Sequence, residues 1–208
     1  MSAVSSRDKG GVVLVPGLWF GRPTLWLLAY RLRRRGFRVH LFPYDSVGQG
    51  FWEASLDLAG YAFAHTSRYL VGHSLGGVLV CAVCQRDPTL YTRALALGSP
   101  FRGSWVVRRW WRCPPFRWLL GAAGPVLLRG LPGVAPARFG VVTGTKPWGI
   151  AGLWLKKRVH DGVVLGTETR LRGAADAVAL RVSHAGLVMS AKSARVVADY
   201  LEHGRFGD

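Results

Sequence analysis

The sequence predicts an α/β protein whose mostly parallel central sheet is flanked by helices. Three observations predict it. Short apolar runs alternate with amphipathic helical stretches, and the runs end in turns bearing glycine or proline. Half of the 208 residues are apolar while 19% are charged, which excludes intrinsic disorder. A chain of this length carries one sizeable core and is short for two, so a single domain over residues 1–208 is expected.

The elements can be justified in order. Residues 11–15 (GVVLV) read as a buried strand ending at Pro16-Gly17. Residues 23–35 read as a helix, with proline near its start, a basic last turn and Gly36 as its stop. The arginines of that turn suit the helix dipole and carry no functional weight. Residues 38–44 form the next strand and 52–64 a helix. A short strand at 69–71 runs into Gly72-His73-Ser74-Leu75-Gly76-Gly77, followed by a helix over 78–86. Residues 94–97 form a strand closed by Gly98-Ser99-Pro100, 139–143 another, 177–182 the last, and 191–203 a closing helix. Between them, residues 101–136 hold four tryptophans, six arginines and five prolines with no clean strand, which predicts a lid-like insertion over the sheet.

Charge and cysteines bear on partners and compartment. The chain has 28 basic and 11 acidic residues, a net charge of +17. Nucleic acid, an anionic membrane surface or an anionic substrate would each complement it, although a high-GC coding sequence also enriches arginine with no function attached. The polar stretch at residues 1–11 lacks the apolar core of a signal peptide, and no run of about 18 apolar residues suggests a spanning helix. Cys81 and Cys84 form a CxxC inside an apolar helical segment. No second pair completes a zinc site, so buried free thiols in a reducing cytoplasm are expected.

The chemistry-bearing signal is Gly72-x-Ser74-x-Gly76 between an apolar strand and a helix. A tight strand-to-helix turn presents the serine on a strained corner, and side chains at the flanking glycines would strike backbone. The helix N-terminus then aims free N–H groups at the reacting carbon. A serine hydroxyl needs a base to remove its proton. Of six histidines, His184 follows the last strand and opens a loop (Ala185-Gly186-Leu187) that could bring it over the serine. His73 lies in the elbow itself and is expected to pack under the turn. Between Ser74 and His184 the only carboxylates are Asp87, Asp161, Glu168 and Asp176. Asp87 ends the helix after the elbow, and Asp176 sits before the last strand at the opposite end of the sheet. Asp161 opens an Asp-Gly turn on the strand-tip side, with Glu168 as the fallback. Two backbone N–H groups should face the developing oxyanion, those of Leu75 and Leu18. No metal or organic cofactor is implied.

With these residues in place the chain resembles the bacterial α/β-hydrolases of the small lipase and esterase type. Pro16-Gly17-Leu18-Trp19, Gly72-His73-Ser74-Leu75-Gly76-Gly77, Gly98-Ser99-Pro100-Phe101, Asp161-Gly162-Val163-Val164 and Ser183-His184-Ala185-Gly186-Leu187 fall in that family's order. The family usually has His-Gly where Pro16-Gly17 stands, and often asparagine where His160 precedes the Asp-Gly pair. The resemblance implies an α/β-hydrolase fold and two-step acyl transfer through Ser74, His184 and Asp161. An acyltransferase or thioesterase would use the same residues, and a non-catalytic membrane- or partner-binding module could use the same scaffold.

The expected substrate is a small acyl ester or lipid, covered by a lid carrying Phe101, Trp105, Trp110 and Trp111, with Trp19 at the rim. Tryptophan interleaved with arginine favours an anionic membrane surface. It would serve nucleic acid by stacking, which the scaffold makes the less favoured partner. A plainer reading has the tryptophans simply covering an apolar cleft. The expected location is cytoplasmic, with peripheral contact on the inner face of the membrane.

Overall fold

The computed structural model describes residues 8–19, 21–149, 155 and 158–207, so part of the polar stretch at 1–11 lies outside the described residues. Its centre is a six-stranded sheet in the order β2-β1-β3-β4-β5-β6, with every neighbouring pair parallel. The strands are β1 (Gly11–Val15), β2 (Arg38–Leu41), β3 (Ser67–His73), β4 (Arg93–Leu97), β5 (Phe139–Gly144) and β6 (Asp176–Leu180). Helices α1 (Trp26–Arg33), α2 (Phe51–Ala64), α3 (Leu75–Arg86) and α8 (Ala191–His203) cover the sheet. Three short helices, α4 (Trp105–Trp110), α5 (Pro114–Leu120) and α6 (Gly124–Arg129), follow β4, and α7 (Gly186–Met189) follows β6. No described helix is long and apolar enough to cross a membrane.

The all-apolar run of β1 reflects burial on both faces. Because side chains alternate along a strand, Val12 and Leu14 join the core beneath α1 and α8, with Leu28, Leu32, Val197 and Leu201. Val13 and Val15 face the other way, into a core with Leu58 of α2 and Leu79 and Cys81 of α3. Helix α3 is buried through most of its length, so Cys81 and Cys84 are free thiols in apolar surroundings. Burial pushes the Cys81 thiol up to about 12 and Cys84 well above its ordinary value, which leaves both as inert packing groups.

Several boundaries shift for local reasons. The helix expected over 23–35 begins as a 3-10 turn at Arg22–Leu25, with proline at its start, and becomes α-helical from Trp26. Strand β2 stops before Pro43, which has no N–H to continue the ladder. The helix expected from 78 starts at once after Ser74. Residues 101–136, read as an insertion without strands, carry the three short helices. Val107, Leu120 and Leu127 from these helices, with Ala123 from the 3-10 turn between α5 and α6, pack on Leu75, with Leu18, Trp111 and Phe116 alongside.

Candidate active site

All six strands run the same way, so the loops after β1, β3, β4, β5 and β6 gather at one end of the sheet. Ser74 stands there between β3 and α3, at φ 55° and ψ −123°, a left-handed backbone that a non-glycine residue adopts only under constraint. The flanking glycines make this turn sterically feasible. A Cβ on Gly72 would lie 2.3 Å from the Gly76 carbonyl oxygen, and one on Gly76 would lie 2.4 Å from the carbonyl oxygens of Val15 and Pro16. Leu75 is the first residue of α3, so its N–H has no acceptor within the helix. Across from it, the Trp19 N–H donates to Ser46 Oγ at 3.1 Å, while the Leu18 N–H has no acceptor among the described residues.

Asp161 and His184 meet beside the elbow. His184 Nδ1 donates to Asp161 Oδ2 at 2.7 Å, and the His184 N–H donates to the Asp161 carbonyl at 2.9 Å. The other carboxylate oxygen accepts from the Val163 and Val164 N–H groups at 2.9 and 2.8 Å. Asp161 is wholly buried, so each of its oxygens is satisfied by directed donors rather than water. With Nδ1 as donor, the imidazole keeps Nε2 free to take a proton. The Ser74 hydroxyl has no hydrogen-bond partner among the described residues. Such contacts commonly tighten only when substrate is bound.

His73 joins the two halves of the site. Its Nε2 donates to the His184 carbonyl at 3.1 Å, and the two rings lie 4.6 Å apart. Nδ1 is buried with no partner. Burial first, and then the neighbouring His184, push the His73 pKa down to about 3, so the ring stays neutral at ordinary pH. Among the described residues no group of three or more His, Cys, Asp or Glu side chains is placed to hold a metal ion.

No protein-family model matches the sequence, nor does any curated protein. Solved structures do match in three dimensions. A mature-form lipase from Bacillus licheniformis superposes with a TM-score of 0.72 at 18% identity, over 88% of this chain and 87% of its own. A metagenomic carboxyl esterase gives 0.64 at 15% identity, over 95% of this chain and 74% of its own. A lipase-esterase related protein from Clostridium acetobutylicum gives 0.64 at 11% identity, over 95% of both chains. The chain has the α/β-hydrolase fold.

Within this α/β-hydrolase fold the residues expected at the rim take different places. Trp19 is 48% exposed, and its indole N–H donates to the Leu119 carbonyl of α5 at 2.8 Å, tying the loop after β1 to the insertion. Trp111 is half-buried among the apolar residues over Leu75. Trp110 is exposed beneath the Arg109 guanidinium. Trp105 packs beside Leu155 and Leu165. Phe101, expected on the substrate side, is buried in the core on the α3 face, edge-on to Phe139, and so anchors the start of the insertion.

Glu168, the fallback acid, lies away from His184. One oxygen accepts from the Leu165 N–H at 3.0 Å and the other from the Trp105 N–H, and Arg108 is 3.7 Å away. Burial raises its pKa despite these bonds. Asp176 opens β6 at the far end of the sheet, where it accepts from the Phe206 N–H at 2.7 Å.

Three further residues shape the site, although the sequence analysis gave them no part in it. Gly98, at φ 59°, leaves room for the Asp161–His184 pair, since a Cβ there would fall 3.0 Å from Asp161 Oδ2 and 3.2 Å from His184 Nδ1. Gly144 does the same for the Asp161 Cβ. His160 is buried, and its Nδ1 accepts from the Gly162 N–H at 3.0 Å, bracing the Asp-Gly turn. A glycine closing a strand beside the candidate residues was the available signal for the first two. The His160 contact depends on the folded turn.

Proposed function

We propose that the chain is a serine hydrolase cleaving a carboxylic ester through an acyl-enzyme on Ser74. The observation that carries this reading is the 2.7 Å hydrogen bond from His184 Nδ1 to the buried Asp161, beside a serine held at φ 55° on a glycine-flanked elbow. The names of the three structural neighbours (a lipase, a carboxyl esterase and a lipase-esterase related protein) point the same way.

In the first step Ser74 Oγ attacks the ester carbonyl while His184 Nε2 takes its proton. Asp161 holds the imidazole in the required tautomer and stabilises the imidazolium. The N–H groups of Leu75 and Leu18, both without a competing acceptor, receive the charge on the tetrahedral oxygen. Collapse breaks the ester C–O bond, and His184 gives its proton to the departing alcohol. Water then repeats the sequence on the acyl-enzyme, releasing the acid and restoring Ser74.

Labelling with a fluorophosphonate probe, detergent present, tests the reading. Wild type should label, Ser74→Ala should not, and His184→Ala should label far more slowly. No labelling of folded wild type would rule out an activated serine. Panels of esters and thioesters, with and without an acceptor alcohol, then separate hydrolysis from thioester cleavage or acyl transfer by the same residues.

A further inference from the structure

The ion pairs between surface side chains lie at the end of the molecule where the strands begin, although among the described residues Arg86 and Arg205 stand there without one. At the end where the strands begin, Lys9 pairs with Glu202, Arg35 with Asp199 and Arg38 with Asp8. At the strand-tip end, residues 101–136 contain six arginines and no acidic residue. Among the described residues only Arg108 of these six lies within ion-pair distance of a carboxylate, that of buried Glu168. Arg109 and Arg117 instead lie over the Trp110 and Trp111 rings, at 5.3 and 5.2 Å from the ring centroids. Neither guanidinium has a hydrogen-bond acceptor among the described residues, so their N–H groups are available to an outside anion.

The same end exposes large apolar groups. Helix α5 buries Leu120 and turns Trp118, 82% exposed, and Leu119 outward, so its outer face is aromatic and aliphatic where a solvated helix would be polar. Trp19 is bonded to the Leu119 carbonyl and extends this face onto the loop after β1, and Trp26 follows at the start of α1. On the loop after β5, Trp148 is 76% exposed, with Lys146 over its ring. Met189, after β6, is also exposed, and Arg31 donates to its carbonyl. Exposed indoles flanked by unpaired cations match a phospholipid surface, where indoles sit at headgroup depth and guanidinium groups meet phosphates.

We propose that the strand-tip end docks peripherally on an anionic lipid bilayer, with Trp118 and Leu119 entering the interface and Arg109 and Arg117 contacting phosphates. Docking in this orientation turns the end of the sheet that carries Ser74 towards the membrane. The proposal does not require Ser74 to be reactive, so it can fail or hold independently of the hydrolase reading.

The test is co-sedimentation of the full chain with vesicles of phosphatidylcholine alone, or of phosphatidylcholine with roughly one third phosphatidylglycerol. Binding should appear with the anionic vesicles, weaken as salt rises, and be unchanged in Ser74→Ala. Reversing Arg109→Glu together with Arg117→Glu should lower the affinity about a hundredfold, taking roughly tenfold per reversed arginine. Trp118→Ser, at an exposed position that leaves the fold intact, should weaken binding at high salt as well as low. The control pair Arg86→Glu with Arg205→Glu makes the same charge change at the other end and should bind nearly as wild type. Equal losses for the two pairs would show attraction by net charge alone and overturn the assignment. So would binding to neutral vesicles as strong as to anionic ones, or capture by single-stranded nucleic acid with none by vesicles.

Discussion

The elbow region and the insertion both leave the strand-tip end of the sheet, yet they are held mainly by different kinds of contact. Around Ser74 the closest approaches at the elbow are to backbone: glycines at 72 and 76 face carbonyl oxygens at 2.3 and 2.4 Å, and both oxygens of Asp161 are held by directed donors. The insertion is tied by backbone only at its joints, where glycines 121 and 130 face the Val47 and Phe101 carbonyl oxygens at 2.3 and 2.4 Å. Between them it rests on side-chain contacts among short helices, with tryptophans beneath arginines and one indole hydrogen bond to the loop after β1. Contacts of the first kind hold atoms in place for chemistry. Those of the second can re-form around a ligand or surface. The two regions should therefore respond very differently to similar substitutions.

The largest difference is expected at Asp161. If the chain is the serine hydrolase proposed above, Asp161→Asn, which keeps the shape but offers an amide N–H or a weaker acceptor to His184 Nδ1, should lower ester turnover by about 10⁴-fold. That loss corresponds to roughly 5.5 kcal/mol of transition-state stabilisation. Turnover kinetics check this, and a loss under about tenfold would remove Asp161 from the chemistry.

Glycine substitutions sharpen the contrast in stability. In Gly76→Ala the new methyl meets the backbone of β1, which cannot yield, and should cost about 3 kcal/mol or more. In Gly124→Ala of the insertion the methyl meets only the edge of the Trp111 ring at 3.0 Å, and the ring can shift. A cost of about 1 kcal/mol or less is expected there. Denaturant melts of the two variants compare them directly, and equal costs would break the distinction.

A pH effect tests the rigid region from another side. The folded-state pKa of His73 lies near 3 against an ordinary 6.5, so the unfolded chain binds a proton in this interval that the folded protein excludes. Stability from this residue is complete above pH 6.5 and is lost as pH falls towards 3, at no more than about 1.4 kcal/mol per pH unit. Stability measured across that range should fall less steeply in His73→Asn than in wild type. Parallel slopes would show that another group sets the acid limb.

The smallest effect should come from the tie between the regions. Trp19→Phe removes the indole donor to Leu119 while keeping an aromatic ring. At this half-exposed position the cost should be about 1 kcal/mol or less, a shift of a few degrees in melting temperature.

The rigid half was largely legible in the sequence because its constraints are local. Gly72, Ser74 and Gly76 constrain one another within a few residues, and a short supply of carboxylates after Ser74 singled out Asp161. The place of His184, directly after the last strand and at the start of a loop, marked it as the base. The parallel sheet followed from apolar runs of strand length, though β3 and α3 proved longer than their apolar signals. What stayed hidden depends on partners distant in sequence. Glu168 bonds to Trp105, 63 positions away, and His73 to the carbonyl of His184, 111 positions away. Phe101 looked like a rim residue because it adjoins the insertion, but tertiary packing takes it into the core. The three short helices of the insertion escaped notice because prolines and glycines interrupt any 3.6-residue period.

Glu168 bears on how the two regions respond to each other. It lies on the same loop as Asp161, and it holds the first turn of α4 through the Trp105 N–H, while its own carbonyl accepts from Arg102. One short piece of chain therefore serves as both the seat of the acid and the mooring of the insertion. Lifting α4 must either break the Glu168 bonds or pull on the strand of loop that carries Asp161. The chain from Asp161 to Glu168 is thus a short covalent link between the start of α4 and the carboxylate that holds the His184 imidazole.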